Sequence, residues 1–100
     1  MAKGYWVAQV DVNDMEQYKK YIAANAKPFK EYGARFLVRG GQSENPEGRR
    51  RSRTVVIEFP SYQAARDCYH SADYQAAIKL RAPASVADIV IVEGYDGQQP

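Results

Sequence analysis

Apolar and polar residues alternate from Gly4 to Val12, with Trp6, Ala8, Val10 and Val12 on one face and Tyr5, Val7, Gln9 and Asp11 on the other. A two-residue period of this kind predicts a half-buried strand. The period then lengthens. Met15, Tyr18, Ile22, Ala26 and Phe29 recur at three- and four-residue steps, which predicts a helix running down to Gly33, a residue suited to the left-handed turn that ends helices. Asn13 or Asp14 is placed to cap its start, with Glu16 or Gln17 three positions on as in a capping box. Pro28 lies inside this helix, where it removes a backbone donor and crowds the Ala24 carbonyl, so a kink is expected.

Two further strand-like runs, Arg35 to Gly41 and Arg53 to Pro60, flank a loop from Gly40 to Ser52 that is nearly devoid of apolar residues. Ser61 can then cap a short helix through about His70, and Ser71 a second one to about Arg81, before Pro83. Val86 to Glu93 reads as a last strand, and Gly94 to Pro100 as a loose tail. The order strand, helix, strand, strand, broken helix, strand predicts an α+β sandwich. It forms a single domain over residues 1–100, with its core at about 3–95.

Strand alternation sets Trp6, Ala8 and Val10 beside Phe36 and Val38, Val55, Ile57 and Phe59, and Ala87, Ile89 and Ile91. This face is wholly apolar and should meet the helices. The opposite face mixes Tyr5, Val7, Leu37, Val56, Val90 and Val92 with Gln9, Asp11, Arg35, Arg39, Glu58 and Asp88. It is too apolar for open water and too charged for a simple core, which suggests a homodimer stacked sheet to sheet. In that arrangement the three acids would offset the two arginines across a two-fold axis, because unpaired buried charge is costly.

Composition narrows the partners more than the chemistry. Fourteen Lys and Arg against twelve Asp and Glu leave a formal charge of +2, too small a surplus to argue for nucleic acid. At 100 residues a partner chain would add useful burial. The lone Cys68 cannot form an intrachain disulfide, and neither a signal-type apolar stretch nor a run of about 18 apolar residues is present, so a cytoplasmic location without membrane contact is expected.

Several ordered motifs then carry a resemblance. Lys3-Gly4-Tyr5-Trp6, the segment from Tyr32 to Gly41, Val55 to Ser61, Cys68-Tyr69-His70-Ser71 and Tyr74-Gln75 together resemble domain-of-unknown-function family 1330 over about residues 3 to 95. The resemblance implies a ferredoxin-like βαββαβ fold, with a four-stranded antiparallel sheet and helices on one face, which pairs into a dimeric α+β barrel. It brings no function with it. The wider superfamily of dimeric α+β barrels includes cofactor-free oxygenases, isomerases, haem enzymes and ligand-binding modules.

Candidate chemistry is sparse. His70 is the only histidine, hence the one side chain whose ordinary pKa suits proton transfer near neutrality, against the plainer reading of a solvated helix end. Cys68 stands two residues away, on a different side of a helix, and does not complete a metal or nucleophile site, so no metal or cofactor is called for. Tyr18, Tyr21, Tyr32, Tyr69 and Tyr74 cluster on or beside the helices. Tyr18 and Tyr69 fall on inward stripes, where each would offer an apolar wall and one hydrogen-bonding group, or serve simply as core. Arg39 and Glu58, near the ends of neighbouring strands, can share a side and orient a polar ligand, or form one structural ion pair. Arg49, Arg50 and Arg51 read as a screened, solvated run, with closure over an anion as the sharper alternative. Together these features predict a cytoplasmic homodimer that binds a small, partly apolar molecule between sheet and helices, through Tyr18, Arg39, Glu58 and Tyr69. The alternatives are a cofactor-free oxygenase or isomerase using His70 or a tyrosine for proton transfer, and a structural protein with no ligand.

Overall fold

A computed structural model describes residues 2–100. Seven elements follow in order: β1 (Gly4–Val12), α1 (Met15–Glu31), β2 (Arg35–Arg39), β3 (Arg53–Phe59), α2 (Tyr62–His70), α3 (Ala72–Arg81) and β4 (Ser85–Glu93), with a 3-10 turn at Ala82–Ala84 before the last strand. The strands form one antiparallel sheet in the order β2-β3-β1-β4. The three helices cover one face of that sheet, as the alternation requires. No described helix is long and apolar enough to cross a membrane.

Local sequence explains the element ends. The Asp14 carboxylate accepts from the Gln17 amide at 3.1 Å and so caps α1. The expected capping box is only half present, because the Gln17 side chain donates instead to the Leu80 carbonyl at 3.2 Å and ties α1 to α3. At the other end Gly33 takes a φ of 72°, Ala34 N–H donates to Phe29 O and Gly33 N–H to Lys30 O, which is the Schellman pattern. The helix continues through Pro28, which is buried. Ser61 and Ser71 cap α2 and α3 by accepting from Ala64 and Tyr74 amides, and the Ser71 hydroxyl also donates to Cys68 O at 2.7 Å. That single serine turns the chain between the two short helices.

The buried stripe of α1 is rotated from the expected one. Met15 is 49% exposed and Ala26 is also exposed, whereas Tyr18, Tyr21, Asn25, Pro28 and Phe29 are buried. Tertiary contact with α3 draws the helix round, so that Tyr21 meets Tyr74 through a 2.6 Å hydroxyl pair. At the centre of the core lies Trp6, 1% exposed, with ring contacts to Phe29, Phe59, Tyr69 and Tyr74 and an indole N–H that donates to Ala65 O at 2.8 Å. Gly4 begins β1 where the backbone of Ser61 and Tyr62 crosses it, with the Tyr62 Cα 2.6 Å from where a Cβ would stand. Gly94 still donates to Lys3 O at 2.8 Å, so the tail begins only after it.

One strand departs from simple alternation. In β2 Phe36 pairs with Ile57 but Val38 pairs with Val56, leaving Leu37 as the extra residue of a bulge. Val38 therefore joins the outer face rather than the apolar inner one, and Arg39, opposite Val55, turns inward. The outer face gains an unbroken row across all four strands, Val38, Val56, Val7 and Val90. Val90 is 59% exposed.

Candidate functional site

Between the sheet and the helices lies a cavity of about 40 Å³. Its floor is aromatic, from Trp6, Phe29, Phe36 and Tyr74, and Tyr18 and Tyr21 come from α1. At one end of the sheet the lining turns polar, with Asn25 from α1, Arg39 from β2, Arg53 from β3 and Arg81 from the last turn of α3. Each arrives there for a local reason. The Leu37 bulge turns Arg39 inward, Arg53 continues the inward alternation of Val55, Ile57 and Phe59, and Asn25 lies on the stripe with Tyr18, Tyr21 and Phe29.

Arg39 and Arg81 are held by ring faces rather than by acids. The Arg39 guanidinium lies 4.0 Å from the Phe36 ring centroid and that of Arg81 5.6 Å from the Tyr21 centroid, within cation–π range. Among the described residues none of the three forms an ion pair, and Arg53 Nε and Arg81 Nε are buried without a hydrogen-bond partner. Burial raises the pKa of the Tyr18 hydroxyl and neighbouring Tyr21 adds to this, while Arg53, Arg81 and Arg39 oppose it. The Tyr74 hydroxyl is driven up by burial beyond any working range and stays a neutral hydrogen-bonding group.

Of the predicted site residues, Tyr18 and Arg39 line the cavity. Glu58 does not. It lies on the outer face and accepts from the Tyr5 hydroxyl at 3.0 Å, so Arg39 and Glu58 sit on opposite sides of the sheet and form no pair. The bulge is the physical reason. Tyr69 packs edge-on against Trp6, with centroids 5.7 Å apart, and lies outside the cavity lining. His70 is exposed at the end of α2, its ring against Tyr69, away from the cavity. Cys68 is fully buried, and burial pushes its thiol up to about 12, so little thiolate is present at neutral pH. Sequence reasoning missed Asn25, Arg53 and Arg81. Arg53 carried a signal in the alternation of β3, whereas the position of Arg81 depends on how α3 packs against α1.

Arg49 and Arg50 are exposed as expected, and Arg51 departs from the expectation. The Arg51 side chain, 32% exposed, is not free but folded onto the outer face, donating to Asp88 at 2.6 Å and to Asp11 at 3.2 Å, while its backbone N–H donates to the Gln9 side chain. Asp11 and Asp88 are thus paired with Arg51, not with the arginines of the strands. Ser52 N–H donates to Asp11 at 2.7 Å, and this backbone hydrogen bond, with the Ser52 and Arg51 side chains, holds the Asp11 carboxyl below its ordinary 3.8. A lowered folded value supports the fold above the ordinary value and loses that support as pH falls through the folded one. An NMR titration should therefore place the Asp11 midpoint below 3.8, with Ser52 amide protection falling through the same range. A midpoint at or above 3.8 would show that this contact does not hold the loop.

The comparisons with known proteins agree with this architecture. Residues 3–95 match the family described as a domain of unknown function (DUF1330). No curated protein matches the chain. Among solved structures, a protein of unknown function from Rhodopseudomonas palustris is similar, with a TM-score of 0.73 at 17% identity over 99% of this chain and 85% of that one. SnoaB, a cofactor-independent oxygenase from Streptomyces nogalater, is similar with a TM-score of 0.62 at 12% identity, over 100% of this chain and 97% of its own. A dimeric ferredoxin-like protein of unknown function from Thermobifida fusca gives a TM-score of 0.57 at 19% identity, over 92% and 89%. At these identities the likeness is one of fold, and the fold is ferredoxin-like.

Proposed function

We propose that this chain, which belongs to the DUF1330 family, works as a cytoplasmic homodimer that binds a small, partly apolar molecule between sheet and helices. The cavity carries the reading. An aromatic floor with a few convergent polar groups at one end is the usual make-up of a small-molecule site, and here Arg53 Nε and Arg81 Nε are buried with no partner of their own. A lone, buried cysteine suits a reducing compartment. The dimer rests on the outer-face row of Val38, Val56, Val7 and Val90, flanked by charged and polar residues, and on similar structures that are dimeric.

Native mass spectrometry of freshly purified protein tests both parts. The expected spectrum is a dimer that carries extra mass below that of a peptide. A clean monomer at micromolar concentration would remove the interface, and a dimer that takes up no small molecule from a library of organic acids, amides and alcohols would remove the ligand. The interface has its own test in Val90→Asp, which sets like charges against each other near the two-fold axis and should convert the dimer to monomer in light scattering. Because His70 stands outside the cavity, His70→Ala should leave binding unchanged.

A further inference from the structure

Resting on the reading of this cavity as a binding site, we infer that its ligand is a small organic anion, a carboxylate whose hydrocarbon part lies on the aromatic floor and whose oxygens face Arg39, Arg53 and Arg81. The charge census decides the sign. Three guanidiniums line one end of the cavity and no Asp or Glu lines any part of it. Arg51 has Asp11 and Asp88, and Lys27 has Asp73 at 3.1 Å, so acids do stand beside some cations of this chain. The three cavity arginines have none among the described residues.

Geometry sharpens the class. Each Nε–H of Arg53 and Arg81 is buried without a partner, and an Nε–H with its neighbouring Nη–H makes a two-pronged donor that matches the two oxygens of a carboxylate. A buried donor left empty is costly, so an anion that fills both forks recovers a penalty that a neutral ligand leaves in place. The rings of Phe36 and Tyr21 already orient Arg39 and Arg81. Gly40 leaves room for Arg53, whose Nη1 lies 2.8 Å from where a Cβ would be. Size limits the hydrocarbon. The cavity of about 40 Å³ is well below the roughly 150 Å³ of an apolar cavity that takes benzene, so the enclosed part is one or two carbons rather than a branched chain or an aromatic ring.

The test compares propanoate with propanamide, which have the same shape and differ in charge, by NMR titration of the wild-type protein at low ionic strength. The acid is expected to bind at least about tenfold more tightly, and its advantage to shrink as salt is added. An Arg53→Gln, Arg81→Gln double variant should abolish the difference, so that acid and amide bind alike. Equal binding of acid and amide by the wild type would overturn the anionic ligand and leave the cavity as a neutral binding site. Binding of neither would overturn both readings. If the double variant fails to fold, the wild-type comparison still decides.

Discussion

Trp6→Ala should cost about 3–5 kcal/mol of unfolding free energy, the range for removing a large buried aromatic side chain. The indole is 1% exposed and has centroid distances of 4.8 to 5.7 Å to four other rings, so no neighbour can close the gap without giving up its own contacts. The change also removes the donor to Ala65 O and with it the side-chain tie between β1 and α2. A domain of this size holds about 5–15 kcal/mol in all, so the loss is a large fraction of the total. Urea unfolding of wild type and variant at one protein concentration measures it, the fixed concentration removing the contribution of dimerisation. Because Trp6 also lines the cavity, millimolar indole should raise the midpoint of the variant and leave that of the wild type where it is. A loss under about 1 kcal/mol would mean that the sheet–helix interface repacks freely, against the usual density of protein interiors.

Gly4→Ala should be nearly as damaging although it adds one methyl group. The new Cβ would stand 2.6 Å from the Ser61 carbonyl carbon and from the Tyr62 Cα, and these are backbone atoms that cannot rotate aside. Relief requires β1 to move off the start of α2, where Ser61 holds the helix cap. The cost is placed at about 3 kcal/mol, the upper end for overpacking, which lowers the thermal midpoint by roughly 12 °C or more. Thermal unfolding followed by circular dichroism reads it directly. A midpoint within a few degrees of wild type would show that the two elements can separate, and the close approach would then carry no weight in fixing where α2 begins.

Most of the fold was legible because its signals are local. The two-residue period of β1 and β4, the serine caps of α2 and α3, and Gly33 after α1 each act within a few residues, and each is where the sequence placed it. The site was less legible because its polar end alone is assembled from four elements. Alternation put Arg39 on the outer face, and only the Leu37 bulge, a matter of pairing with β3, returns it to the cavity. Arg81 has no sequence mark at all, as its place depends on packing between α3 and α1. Asn25 was hidden by a stripe drawn through Met15 and Ala26, which a rotation of α1 leaves in solvent. Arg51 read as solvated because its partners, Asp11 and Asp88, lie 40 and 37 residues away along the chain.

The Leu37 bulge has a consequence for how this site can change over evolutionary time. With two residues of β2 opposite one of β3, the identity of the side chain delivered to the cavity depends on pairing register as much as on residue type. Deleting the extra residue would leave Arg39 opposite Val55, whereas regular pairing at the present strand length would bring Val38 there and exchange a guanidinium for an isopropyl group in the binding chamber without a substitution. Among relatives, loss of the bulge without any loss of residues is therefore a switch of ligand charge, and it would be invisible to any comparison that scores only which amino acids are shared.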